Sequence, residues 1–143
     1  MHSRIFNLSN THYNDEETYE MLRQVCTLAD YAVERDDDGM NDDLDWLAKA
    51  TDMTIEANEL VITKEHAIGY WDNIFNKVRD LIDEEGINLD TKWSIANLLE
   101  AKDGFMVIYD GYIQTLDSFL RSVAKGYQDE GKYTVLQTFD YHF

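Results

Sequence analysis

Apolar residues recur at helical spacing over five stretches of the chain. The clearest pattern predicts a helix from Thr63 to Gly86. Its apolar side consists of Trp71, Ile74, Phe75, Val78, Leu81 and Ile82. The other four predicted helices begin at Asn14, at Asn41 or Asp42, near Asp90, and at Asp103. The second helix in chain order is predicted to run toward Leu60. No proline interrupts these segments, which is typical of a largely helical chain.

Alternating apolar and polar residues at both ends of the sequence predict strands. The first is Arg4–Leu8, and the second lies in the closing segment KYTVLQTFDYHF, residues 132–143. Residues 103–112 could form either a helix or a strand, because two glycines weaken a helix there and the segment FMVIY is rich in residues that favour strands. The predicted fold is mainly α, with about five helices and a small antiparallel β-ribbon that pairs the N- and C-terminal strands. An α+β arrangement is the alternative.

Composition adds a strong acidic bias to this picture. The 143 residues, which we expect to form a single domain over 1–143, include 29 acidic and 12 basic side chains, for a net charge of −17. Such a surface repels nucleic acid and anionic membranes and attracts basic proteins. Cys26 is the only cysteine, there is no apolar run near 18 residues, and the first residues lack a signal-peptide pattern. We therefore expect a cytoplasmic protein, in the host cell if a phage encodes it.

The segment ERDDDGMNDDLD, Glu34–Asp45, fits two hypotheses. As a calcium-binding loop that starts at Glu34, it has Asp36, Asp38, Gly39 and Asp45 at the third, fifth, sixth and twelfth positions. Glu34 is too long for the first position, the eighth is polar, and Asp45 is short for the twelfth. No second loop is present to pair with it. The metal hypothesis is therefore weak, and no metal or cofactor is predicted.

The other hypothesis treats these acids as a charged surface. Asp42, Asp45, Asp52, Glu56 and Glu59 are spaced 3, 7, 4 and 3 residues apart, which is one stripe along the predicted second helix, interrupted only by Lys49 at the missing position. An ordinary solvated helix face is the plain alternative, although such faces usually alternate in sign. The acids predicted to contact a partner are Asp30, Glu34, Asp36, Asp37, Asp38, Asp42, Asp43, Asp45, Asp52, Glu56, Glu59, Asp83, Glu84 and Glu85.

Patterns that would indicate catalysis are missing from the sequence. The four histidines, His2, His12, His66 and His142, do not form a spaced metal-binding pair. The glycines are scattered, so they do not form a phosphate-binding loop, and Cys26 falls on the apolar side of a predicted helix. Acidic pairs are so numerous that none stands out as a general acid–base couple. We therefore predict that the chain is not an enzyme.

Three segments in order, AIGYWDNIF (67–75), EEGINLD (84–90) and DTKWSIANLLEA (90–101), together with YEML (19–22), resemble the Ocr-type antirestriction family of phages. That resemblance covers about a quarter of the chain. It implies an acidic, helical DNA mimic that occupies the DNA-binding groove of type I restriction-modification enzymes, usually as a dimer. The aromatic C-terminal segment departs from the family's acidic tail, which leaves the target and the dimer geometry open.

The leading hypothesis is an acidic DNA mimic that binds and blocks the DNA-binding site of a host defence protein. A type I restriction-modification or CRISPR nuclease complex is the kind of target expected, and a homodimer is an open expectation. The second hypothesis is a small acidic regulatory protein that binds a basic partner without mimicry. The third is a divalent-cation-binding protein built on Glu34–Asp45.

Overall fold

The computed structural model describes residues 2–8, 31–99 and 104–142. Over these residues the chain is an α+β protein, so the prediction of a mainly α, helical chain with about five helices is wrong. The eight described strands are β1 His2–Asn7, β2 Tyr31–Glu34, β3 Thr54–Glu56, β4 Glu59–Ile62, β5 Met106–Tyr109, β6 Tyr112–Thr115, β7 Gly131–Thr134 and β8 Gln137–His142. The four described helices are α1 Asp37–Thr51, α2 Lys64–Glu85, α3 Leu89–Leu99 and α4 Leu116–Lys125.

A five-stranded sheet forms the centre of the fold, in the order β2-β8-β1-β5-β6. The first and last strands pair antiparallel, from His2 opposite His142 to Asn7 opposite Gln137. This confirms the predicted pairing of the terminal strands. Strand β1 also pairs with β5 in parallel, which the sequence did not indicate. Neighbouring residues Ile5 and Phe6 point to opposite faces of β1 and are both fully buried, so β1 is covered on both faces.

A second sheet of three strands, β3-β4-β7, replaces the second half of the predicted second helix. Helix α1 ends at Thr51, and Asp52 takes the left-handed conformation with φ 56°. A tight turn at Ala57 and Asn58 then joins β3 to β4, whose buried residues Leu60 and Ile62 alternate with half-buried positions. Residues 54–62 therefore form two strands, and the helical spacing of their acids does not produce a helix.

Helix α2 confirms the predicted element and both of its ends. The Thr63 hydroxyl accepts a hydrogen bond from the backbone N–H of His66 at 3.0 Å, and Gly86 follows the last turn with φ 72°. The next helix, α3, begins one residue before Asp90. Its cap is Asn88, whose side-chain oxygen accepts from the N–H of Thr91 at 2.9 Å.

The predicted fifth helix is only half helical. Residues 106–115 form the β5–β6 hairpin, whose turn at Asp110 and Gly111 has positive φ angles of 49° and 77°. The Thr115 hydroxyl then caps α4 by accepting from the N–H of Ser118 at 3.1 Å. Most of the first predicted helix, which was to run from Asn14 to just before Gly39 with Ala32 and Val33 on its apolar side, lies outside the described residues. Its described end is wrong, because Ala32 and Val33 belong to strand β2. Among the described helices, none combines the length and the apolar composition that crossing a bilayer requires.

The main core lies between one face of the five-stranded sheet and helices α1, α2 and α4. Phe6 and Phe105 meet edge to face at 5.6 Å, and Trp46 of α1 packs on Phe105 at 4.9 Å. Phe119 and Tyr133 continue the aromatic contacts toward the smaller sheet at 5.3 Å. These rings join α1 and α4 to both sheets in one apolar cluster.

One buried polar cluster crosses from the sheet to α1. The Asp43 carboxylate is 2% exposed and accepts from Arg4 Nε of β1 at 2.5 Å and from the Thr138 hydroxyl of β8 at 2.9 Å. Arg4 also donates to Asp140 Oδ1 at 2.6 Å. Arg35 Nε lies 3.3 Å from the second oxygen of Asp43 without donating a hydrogen bond to it. The cluster thus fixes α1 against the first and last strands.

Replacing Asp43 by Ala is expected to lower the free energy of unfolding by about 3 kcal/mol, because Arg4 and Arg35 would lose a buried counter-charge. Asp42→Ala, one residue away on the exposed side of α1, is the matched control and is expected to change stability by less than ~0.5 kcal/mol. Urea unfolding of the two variants measures the difference. Equal losses in both variants would contradict a structural role for the Asp43 ion pairs.

Candidate protein-binding surface

Helix α1 presents a row of carboxylates to solvent. Asp38, Asp42 and Asp45 are exposed and are spaced four and three residues apart, while Leu44 and Leu47 on the other side are buried. Asp37 is exposed beside this row in the first turn. We call Asp37, Asp38, Asp42 and Asp45 the α1 acidic face. None of its four carboxylates forms an ion pair within the described part of the chain.

Two further predicted acids adjoin the start of α1. Asp36 is the N-cap residue, and its side chain accepts from the backbone N–H of Gly39 at 2.8 Å. Glu34 is exposed at the end of β2, where its carboxylate accepts from Gln137 Nε2 at 3.1 Å. Both acids have a local hydrogen-bonding role, and they extend the negative field beyond the N-terminal end of the α1 acidic face. Their position at the positive end of the helix dipole favours the helix.

Asp43 does not belong to this surface, although it was predicted with the others. The sequence could not distinguish Asp43 from the exposed acids, because it lies between exposed Asp42 and buried Leu44, at the border of the two sides of α1. Arg4 is 39 positions away in the chain, so only the tertiary fold brings the two charges together. Asp43 therefore holds α1 in place and is left out of the proposed contact surface.

The remaining predicted acids of the stripe lie apart from α1. Asp52 follows the helix as its C-cap, and Glu56 and Glu59 face each other across the β3–β4 hairpin. Lys132 of β7 lies 3.2 Å from the Glu59 carboxylate and 3.3 Å from that of Glu56. The hydrogen bonds to Glu59 and then Glu56 raise the pKa of the Lys132 ammonium. This hairpin is thus partly neutralised, unlike the α1 acidic face.

The last predicted cluster, Asp83, Glu84 and Glu85, is exposed in the final turn of α2. These three carboxylates lie at the negative end of the helix dipole, and there is no basic residue in that turn. Their position disfavours the helix end. They belong to α2 and are not counted in the α1 acidic face. Asp30 lies outside the described residues.

The sequence did not predict a cavity of about 380 Å³ beside α2. Its lining includes Tyr70, Trp71 and Lys77 of α2, Leu98 of α3 and Asp117 of α4. The Tyr70 hydroxyl donates to the Asp117 carboxylate at 2.5 Å, which joins α2 to α4 at the wall of the cavity. No spacing pattern in the sequence could have indicated the cavity, because its walls come from helices distant in the chain.

The calcium-loop hypothesis does not fit this geometry. Helix α1 begins at Asp37, so Asp38 and Asp45 lie about 10 Å apart along its axis at ~1.5 Å per residue. Calcium ligands must all come within about 2.3–2.6 Å of the ion. Asp36 is engaged in the helix cap. Within the described ranges, no group of three or more histidine, cysteine or acidic side chains is placed to hold a metal ion.

Comparison with known proteins found no relative of this chain. No protein-family model matches the chain, and neither a curated protein nor a solved structure matches it. The similarity of residues 67–101 and 19–22 to the antirestriction family remains a prediction from short segments. Residues 67–75 fall within α2, and residues 84–99 cover its end and α3.

Calorimetric titration with Ca²⁺ is expected to give only weak heats without a defined stoichiometry, because α1 holds its carboxylates in a row and not around a common centre. Asp36→Asn should leave that weak binding unchanged. A tight one-to-one isotherm that disappears in Asp36→Asn would contradict the helical geometry of residues 37–45.

Proposed function

We propose that this protein binds a basic, DNA-binding protein through the α1 acidic face and thereby blocks that partner's DNA site. The observation that carries the proposal is the row Asp38, Asp42 and Asp45, which is exposed and acidic throughout and forms no ion pair with another described residue. Like charges at this spacing destabilise a helix. A cationic partner groove would relieve that repulsion on binding.

The spacing of the row supports mimicry of a phosphate strand. At ~1.5 Å rise per residue, its carboxylates are about 6 Å and 4.5 Å apart along the helix axis. Phosphates of a DNA strand recur about every 3.4 Å along the duplex axis, so both are rigid, closely spaced rows of anions. Buried Asp43 keeps the α1 row rigid by pairing with Arg4.

The partner class follows from charge. A protein of net charge −17 repels nucleic acid and anionic lipid, so the proposed partner is a protein with an exposed Lys/Arg surface. A defence enzyme of the host cytoplasm, such as a type I restriction-modification or CRISPR nuclease complex, has such a surface. Steering by charge makes the proposed association fast and strongly dependent on ionic strength.

A second candidate function uses the same surface without mimicry. A basic regulatory partner that binds no DNA would meet the same carboxylates and show the same salt dependence. The two functions differ in one respect: a mimic and duplex DNA exclude each other from the partner. The single-signed row argues against an ordinary solvated helix face, on which charges usually alternate in sign.

Neutralising the row is expected to abolish binding of the partner while leaving the fold intact. The test variant is Asp38→Asn, Asp42→Asn and Asp45→Asn combined. The control, Asp83→Asn with Glu84→Gln and Glu85→Gln, removes the same three charges from α2. Both variants and the wild type are immobilised on beads and incubated with a bacterial lysate at low salt. The retained proteins are quantified by mass spectrometry.

The wild type and the α2 control should retain the same DNA-binding protein, and the α1 variant should retain less than about a tenth as much, as expected when several steering charges are lost. Circular dichroism checks that both variants keep the wild-type helix content. Equal retention by both triple variants would show that total charge, and not the α1 acidic face, determines binding.

A further inference from the structure

The cavity beside α2 has the size of a small-molecule site. Its volume is about 380 Å³, within the range of roughly 300–1,000 Å³ that ligand pockets occupy. One wall is the side of α2 that carries Tyr70, Ile74 and Lys77, which follow one another at intervals of four and three residues. The last turn of α1, Leu98 of α3 and the first turn of α4 complete the walls. Packed helices therefore form this cavity before any ligand enters.

Trp71 brings a hydrogen-bond donor without an acceptor to the cavity. Its ring packs against Tyr70 and Phe75, with centroid distances of 6.1 Å and 6.0 Å. The indole N–H is buried, and it donates to no described residue. Leaving a buried donor unpaired costs free energy, so such groups in native proteins usually have a partner. Because Trp71 lines the cavity, a ligand bound there can present an oxygen to this N–H.

The end of the cavity near the start of α2 is negative. The half-buried Asp117 carboxylate lies there and accepts from the Tyr70 hydroxyl on one oxygen only. One turn earlier in α2, His66 Nε2 donates to the Thr51 carbonyl at 3.3 Å, which places the last turn of α1 at the same end. The negative end of the α1 dipole and the exposed Asp52 carboxylate add to this charge. This end of the cavity therefore attracts a cationic group.

The other end of the cavity is positive. Lys77 lies seven residues after Tyr70, which is about two turns and ~10 Å along the α2 axis. It is exposed and forms no ion pair with another described residue. Ile74 and Leu98 line the cavity as its apolar part. The cavity thus combines a negative end, an apolar surface with a free N–H donor, and a positive end.

We propose that this cavity binds a short peptide of about three residues with both of its ends free. The peptide's ammonium group pairs with Asp117, one of its carbonyls accepts from the Trp71 indole N–H, and its carboxylate pairs with Lys77. Three extended residues span about 10 Å at ~3.3–3.6 Å each, which matches two turns of α2. An apolar side chain of the peptide packs on Ile74 and Leu98. A ligand with a single charge would leave one end of the cavity unpaired.

This inference is independent of the proposed function, because no residue of the α1 acidic face lines the cavity. The test is a titration of the isotope-labelled full chain with glycyl-leucyl-glycine, in which NMR follows the indole N–H signals of Trp46, Trp71 and Trp93. The Trp71 signal, identified by its loss in Trp71→Phe, should shift and saturate with a Kd of about 1 mM or tighter. The signals of the other two indoles should stay in place.

Two tryptophan variants test the indole hydrogen bond. Trp71→Phe keeps an aromatic ring in the wall but removes the N–H, so calorimetry should show binding of the tripeptide about fivefold weaker. Trp93→Phe is the matched control, because Trp93 is exposed on α3 and does not line the cavity. Its Kd should equal that of the wild type. Circular dichroism checks that both variants keep the wild-type helix content.

Charge variants test the two ends of the cavity. Asp117→Asn keeps an oxygen that can accept from Tyr70 and should weaken binding about tenfold, because the peptide's ammonium group loses its counter-charge. Lys77→Met should weaken it about threefold, since the lost pair is exposed to solvent. Lys92→Met, on α3 and outside the cavity, should have no effect.

Blocked peptides test the same contacts on the unmodified chain. Acetylating the tripeptide's ammonium group, or amidating its carboxylate, should weaken binding to the wild type. The acetylated peptide should bind equally to the wild type and Asp117→Asn, and the amidated peptide equally to the wild type and Lys77→Met. No saturable shift of the Trp71 signal at a peptide concentration of about 20 mM would overturn the inference. Blocked peptides that bind as tightly as the free one, or equal losses in Trp71→Phe and Trp93→Phe, would also overturn it.

Discussion

The ion pair between Asp43 and Arg4 is the interaction on which the position of the proposed binding surface depends. It joins α1 to the first strand, and Thr138 extends the same contact to the last strand. A buried carboxylate is tolerated only with such partners, because removing a charge from water is costly. Once Asp43 is fixed inward, the helical repeat determines that Asp38, Asp42 and Asp45 point outward. The internal salt bridge and the external acidic row are therefore two sides of one helix.

The acids of this chain fall into three structural classes despite their similar appearance in the sequence. Asp43 is internal, Glu56 and Glu59 share Lys132, and the α1 acidic face forms no ion pair with another described residue. Net charge alone would treat them as equal. Repulsion that is concentrated on one rigid helix, and not spread over the surface, is the feature that a basic partner would relieve.

Helix α2 could be predicted from the sequence because its signals are local: Thr63 and Gly86 mark its ends, and its apolar spacing is regular. The end of α1 could not be predicted from the sequence. The acids of residues 52–59 happen to continue a helical spacing, although these residues form the strands β3 and β4. The burial of side chains was harder to predict from the sequence than the helix ends. The apolar side of α2 looked like a core-facing stripe, yet Phe75 remains mostly exposed because no described element covers it.

If the α1 acidic face mimics DNA, it competes with duplex DNA for one site on a basic partner. Fluorescence anisotropy measures this directly: a labelled duplex is bound to the captured DNA-binding protein, and this chain is then added. We expect complete release of the duplex in step with complex formation, and little release by the variant that lacks the charges of Asp38, Asp42 and Asp45. A stable ternary complex that retains the duplex would contradict DNA mimicry.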